Sequence, residues 1–401
     1  MSAMTRPPTS RLNEDVVARL GPMQQFFAEE TPRVRERFGE EVCDFAAGNP
    51  QEGAIEGYVQ ALERWAHDRL PDWFAYKMSE PEGQEVVARS LSGYLGVPFE
   101  PPDIALTNAS IAALAVTLRA LCEPGDEVIT ISPPHFLYAA LIVAVGAVPV
   151  SVPIDRASLD LDLPAIAEAI TPRTRAIIVN TPHNPTGKIF SRETLEGLSR
   201  ILERRNDPIY LISDEAYHHI LFDGRTFISP AACYDRTLVV YSYGKVLLAP
   251  GQRLGFIAVC PRMPERDAVR RGLIVAQIVT GWAFPNALLQ HAIAELDALT
   301  VDMAKLQARR DRMVGALREM GYELHVPEAT FYLMPRSPIE DDAAFCSELM
   351  EDGIIAMPGS FLELPGFFRL SLTASDAMIE RSLPGFASAI ERAGGPVRTT
   401  A

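Results

Sequence analysis

Several polar residues stand just beyond short apolar runs, where a folded chain could gather them. Asn184 follows the run 176–179, Asp214 and Tyr217 follow 209–212, and Ser242 and Lys245 follow 237–241. Arg253 comes eight residues after the lysine, and Arg369 lies in the apolar segment FFRLSL. An amine, a carboxylate, hydroxyls and guanidinium groups suit carbanion chemistry on an amino acid, with pyridoxal 5′-phosphate (PLP) as the electron sink. That chemistry needs a lysine for a Schiff base and a carboxylate against the pyridinium nitrogen. It also needs donors to the ring oxygen, a phosphate cup at a helix N-terminus with an arginine, and a cation for the substrate carboxylate. The chain offers one candidate for each. Singly, each has a plainer reading: Lys245 as a surface lysine, Asp214 as a helix cap, Asn184 as a turn residue, Arg369 as half of an ion pair.

Other chemistries lack their signatures. Gly187-Lys188 and Gly244-Lys245 have neither the upstream glycine nor the following hydroxyl of a P-loop, and no G-x-G-x-x-G or G-x-S-x-G occurs. The seven histidines show no metal-ligand spacing, so no metal is expected. With 37 basic and 52 acidic residues the net charge is −15, which argues against nucleic acid or anionic lipid as a partner. The five cysteines are scattered, with no C-x-x-C pair, and read as reduced thiols. No secretion signal and no run long enough to span a membrane is seen, so a cytoplasmic protein is expected.

The elements that must position these residues follow from the pattern. With 401 residues, 48% of them hydrophobic, the chain can build one large domain and a smaller companion. Apolar β-branched runs at 103–106, 127–131, 176–179, 209–212 and 237–241 alternate with helical stretches, Ser191 serving as one N-cap. This predicts an α/β fold with a mostly parallel sheet covered on both faces, whose ligand sits at the carboxyl ends of the strands. Residues 283–321 read as long helix, and YELHV, TFYLM and FFRLSL as short strands of a smaller α+β unit. The expected divisions are an N-terminal segment 1–50 that packs with the small domain, a PLP-binding domain 51–285 and a small C-terminal domain 286–401. The tail from Gly394 is expected to fray.

The stretches NTPHNPTG, SDEAYHHI, SYGKVLLAPGQRLGF and PGSFLELPGFFRLSL, in this order, resemble the signature segments of the fold-type I PLP enzymes, class I/II aminotransferase family. The resemblance implies that Lys245 forms the Schiff base and then moves the proton between substrate and cofactor. It implies that Asp214 pairs with the pyridinium nitrogen, and that Asn184 and Tyr217 donate to the ring oxygen. Ser242, Arg253 and the helix start Ala109, Ser110, Ile111 would hold the phosphate. Glycine is commoner than alanine at 109 in the family. Arg369 and Gly48, with Asn184, would bind the substrate carboxylate. Tyr76 resembles a tyrosine that crosses to a neighbouring subunit's phosphate, which implies a homodimer with shared active sites.

One segment departs from the family pattern. Where an aromatic side chain usually stacks on the cofactor, this chain has SPPHFLY, which puts His135, or after a one-residue shift Phe136, against the ring. Tyr138 and Tyr332 read either as pocket or as core residues. No second basic residue for a dicarboxylic substrate is identified; Arg6 and Arg11 lie in a segment that often lids the site but match no motif. The leading expectation is transamination between an L-amino acid and a 2-oxo acid through a pyridoxamine phosphate form. Elimination, replacement, cyclisation or oxidation on the same cofactor is the alternative, and a non-enzymatic PLP or amino-acid sensor comes last.

Overall fold

Twelve strands are formed in the computed structural model, which describes residues 10–67 and 70–395. In chain order they are β1 Cys43–Asp44, β2 Ile104–Thr107, β3 Glu127–Ser132, β4 Val148–Pro153, β5 Thr174–Asn180 and β6 Tyr210–Asp214. There follow β7 Thr237–Ser242, β8 Gly255–Val259, β9 Tyr332–Leu333, β10 Ile354–Ile355, β11 Met357–Pro358 and β12 Phe368–Ser371. Seven of them make the main sheet, in the order β2-β8-β7-β6-β5-β3-β4. All neighbours are parallel except β8, which runs against both β7 and β2.

Side-chain alternation sends Ala176 and Ile178 of β5 to one face and Ile177 and Val179 to the other. The first face packs under the helices Ala109–Leu121 and Arg266–Thr280, the second under Arg192–Glu203. Apolar residues on both faces explain why the runs are continuous instead of alternating with polar residues. Ser191 does cap its helix, accepting from the Thr194 amide.

A separate core joins Leu306, Leu317, Phe345, Phe368 and Phe386 to Cys43 and Phe45. β1 pairs in parallel with β10, and β9, β12 and β11 form a small antiparallel sheet. The N-terminal stretch returns onto this unit: Phe26, Val34 and Val42 pack with Met350, Ile355 and Leu362.

The expected long helix over 283–321 is instead three helices, Ala287–His291, Ile293–Leu296 and Met303–Glu319. Asn286 and Asp302 side chains cap the first and the last of them, and such caps fix new helix starts inside an otherwise helical composition. YELHV contributes one isolated bridge, Leu324 to Pro335, and TFYLM only the two residues of β9. Arg6 and the tail from Pro396 lie outside the described residues; Arg11 opens the first helix, exposed.

Candidate active site

Two features of the sheet bring the polar residues to one edge. The first is that the strands on either side of β3 and β5 continue in opposite directions, to β4 and to β6, leaving a crevice at their carboxyl ends. His135 follows β3 there, and Asn180 ends β5 in register with Asp214 at the end of β6. The second is the reversal of β8. Its first residue, Gly255, pairs with Ser242 and with Thr107, so the connection 243–254 turns on this same edge and carries Lys245 and Arg253. A Cβ at Gly255 would stand 2.2 Å from the Tyr241 carbonyl oxygen and 2.8 Å from Ala109 Cα, so only glycine permits this approach.

Hydrogen bonds then fix the loops. Asn180 donates to the Asp214 carbonyl at 2.9 Å and accepts from the Asn184 amide at 2.7 Å. The Asn184 side chain donates to the Tyr217 hydroxyl at 3.4 Å and accepts from Arg369 at 3.3 Å. Arg369, on β12, is 3% exposed, donates also to the Ala46 carbonyl at 2.9 Å and lies 4.2 Å over the Tyr332 ring. Its Nε is buried with no partner among the described residues. Lys245 Nζ lies 5.7 Å from the Tyr217 ring centre and 6.0 Å from that of Phe331. Ser110, Ile111, His135 and Ser242 line the same cavity as Asn184, Asp214, Tyr217, Lys245 and Arg253.

The charges are uneven. Three cations, Lys245, Arg253 and Arg369, converge with one carboxylate, Asp214. Asp214 is buried, and among the described residues no cationic side chain forms an ion pair with it; burial pushes its pKa above the usual carboxylate range. Arg253 donates to the Pro250 carbonyl at 2.5 Å, and burial lowers its pKa. Charges held away from water without an ionic partner are costly, and a ligand bringing the opposite charges would complete this set.

PLP fits this donor set: a protonated ring nitrogen for Asp214 and a phosphate for Arg253, Ser242 and the helix start at Ala109. A substrate carboxylate would complete the orphaned Nε of Arg369. At Gly48 a Cβ would come within 2.6 Å of the Tyr332 hydroxyl, so the close approach there suits only glycine.

Ala109 takes a left-handed conformation, φ +66°, while wholly buried. Alanine is strained there and glycine is not. Ala109→Gly is therefore expected to stabilise the protein, by about 1 kcal/mol less the chain-entropy cost of glycine, read as a raised urea midpoint. A lowered midpoint would contradict this.

His135, and not Phe136, lines the cavity; Phe136 packs with Phe26 and Val34. The Leu137 amide donates to His135 Nδ1 at 3.3 Å, which leaves the proton on Nε2. Burial, then the charges of Lys245 and Arg369, push its pKa down to about 3. His135 is thus neutral from pH 5 to 9, and His135→Phe should leave the shape of the kcat–pH profile unchanged; loss of an acid limb near pH 6 would contradict this.

Tyr76 does not reach the cavity within one chain. It is 86% exposed and its ring lies tilted against Phe284, with ring centres 4.9 Å apart. Two participants were not singled out from sequence, Asn180, which ties two loops together, and the Ala46 carbonyl; Tyr138, read there as either pocket or core, is both, its hydroxyl 2.6 Å from Asp214. For Tyr138 the usable signal was its place one helical turn beyond His135 in SPPHFLY.

Fold and site together define a PLP-dependent enzyme acting on amino acids. The family model for aminotransferase class I and II matches residues 40–384, so the chain belongs to that family and is a PLP-dependent aminotransferase, moving an amino group from an amino acid to a 2-oxo acid. It is 31% identical over 370 residues to the aspartate/prephenate aminotransferase of Thermus thermophilus, covering 89% of this chain and 93% of that one. A probable N-succinyldiaminopimelate aminotransferase of Mycobacterium tuberculosis is 32% identical over 288 residues, 69% of this chain and 71% of the other. Among solved structures, an aminotransferase from Eubacterium rectale superposes with a TM-score of 0.86 at 28% identity, covering 97% of this chain and 96% of that one. The aspartate aminotransferase of Thermotoga maritima gives 0.83 at 25% identity, covering 96% and 100%.

Proposed function

We propose that transamination is carried out by Lys245, Asp214, Asn184, Tyr217, Ser242, Arg253 and Arg369, in the roles their positions allow. The observation that carries this reading is the convergence of three cations and one buried carboxylate, with no ion pair among the described residues, at a single sheet edge. PLP, when bound, supplies an aldehyde and a ring that withdraws electrons from the substrate α-carbon. Lys245 would hold the cofactor through its amine. Freed, its amine would take the proton from the α-carbon. Asp214 keeps a proton on the ring nitrogen, and Asn184 and Tyr217 orient the ring oxygen. Arg369, its planar fork already fixed by Ala46 and Asn184, fixes the substrate carboxylate.

The reading extends to a cytoplasmic homodimer with domains 1–50, 51–285 and 286–401. Five free cysteines support the compartment. An exposed apolar row on the helix Arg266–Thr280, Ile274, Val275, Ile278 and Val279, runs on to Trp282, Phe284 and Tyr76 and supports the dimer. Ile278→Glu should give a monomer in sedimentation with at least a tenfold loss of activity; a fully active monomer would remove Tyr76 from the site.

A panel of dicarboxylic, aromatic and aliphatic L-amino acids, followed by absorbance, tests the function. Donors should bleach the visible band of the bound cofactor and 2-oxo acids restore it. Ammonia release or oxygen uptake without restoration would overturn transamination.

A further inference from the structure

Asp214 faces a physical conflict: to hold a proton on a ring nitrogen it must be ionised, yet it is buried, and burial disfavours the charge. Two donors act against that penalty. One is the Ala216 amide, 3.3 Å from Oδ1. The other is the Tyr138 hydroxyl, 2.6 Å from Oδ2, brought from 76 residues away in sequence. Tyr138 opens the helix Tyr138–Ala144 beside the cavity and is only 2% exposed. Its ring packs in the apolar cluster with Val128, Ile178 and Ile212, and against His135 at 5.5 Å, so the hydroxyl is held in place by its surroundings. With Asp214 as its acceptor and burial around it, the phenol stays protonated and donates.

We propose that Tyr138 is a positioning residue for the reaction: its hydroxyl fixes the orientation of the Asp214 carboxylate and holds it ionised, so that the remaining lone pairs face the ring nitrogen. This rests on the reading of Asp214 as that nitrogen's partner. The phenol–carboxylate bond is charge-assisted and shielded from water, which makes it one of the stronger kinds.

Tyr138→Phe removes only the hydroxyl and keeps the packed ring. The apoprotein of this variant should bind PLP about 10- to 100-fold more weakly than the parent, the effect of losing one buried hydrogen bond to a charge. The ¹⁵N signal of ring-labelled PLP bound to it should move toward that of the unprotonated nitrogen. Tyr138→His, which keeps a ring and an N–H donor, should recover much of both. A lower melting temperature with unchanged PLP affinity and unchanged ¹⁵N signal would overturn the proposal, leaving Tyr138 a core aromatic. Asp214→Asn separates the two readings. If it moves the ¹⁵N signal and Tyr138→Phe does not, only the Tyr138 proposal fails; if neither moves it, the reading of Asp214 fails.

Discussion

Replacing Lys245 with alanine should lower kcat by at least about 10⁴-fold, because one side chain supplies both the covalent anchor and the proton carrier. The protein should still fold. Lys245 makes no ion pair among the described residues, its side chain is half-buried, and alanine suits the short helix Tyr243–Val246 that carries it. PLP should still bind, held by Arg253, Ser242 and Asp214, but it should wash out on dialysis. Steady-state kinetics with a melting curve on the same preparation checks this. A loss below tenfold, with folding intact, would place the reactive amine elsewhere.

Asp214→Asn should lower kcat by about 10³-fold, the scale for losing one preorganised electrostatic contact. Asparagine keeps the shape, and its amide oxygen can accept from Tyr138, so the change isolates charge. The same substitution should stabilise the apoprotein at neutral pH. The folded-state pKa of Asp214 is raised by burial, so its contribution to stability is fully present below the unfolded value and lost as pH rises through the folded one. Asparagine has no charge to desolvate and avoids that loss. Urea unfolding of the two apoproteins should therefore nearly coincide at pH 3 and separate by pH 7, with the variant higher. Adding PLP should reverse the order, since only the aspartate gains a partner. A variant less stable at both pH values would show that the carboxylate is not under strain.

Much of this site was legible because its residues sit beside strong local signals. Lys245, Asp214 and Asn184 each follow a β-branched run whose end is marked by Ser, Asp or Pro, and parallel strands place such ends at one edge. The departures were legible too, but not their outcome. Ala109 could be noted as unusual, whereas its positive φ depends on how closely β8 passes, which Gly255 sets from 146 positions away. His135 and Phe136 differ by one residue of register, and that choice is made by the apolar cluster around Phe26, not by the local sequence.

The broken helices over 287–319 were missed because Asn286 and Asp302 act as caps only where the chain already turns; composition alone favours continuity. Tyr138 was ambiguous for a similar reason. An aromatic residue in a helix reads as core, and it is core, but its hydroxyl reaches Asp214 only through the packing of two distant segments. Tyr76 shows the remaining difficulty. Its ring is exposed in the single chain, and the role proposed for it would require a second subunit.

The account rests most directly on Lys245 as the residue that holds the cofactor. Reduction of the PLP-loaded enzyme with borohydride, followed by proteolysis and mass spectrometry, reads this without reference to substrate. The expected result is a phosphopyridoxyl group on the peptide containing Lys245, in one copy per chain, and none on the Lys245→Ala protein. Modification of Lys77, Lys188 or Lys305 instead, with Lys245 unlabelled, would contradict the assignment of this edge of the sheet as the active site.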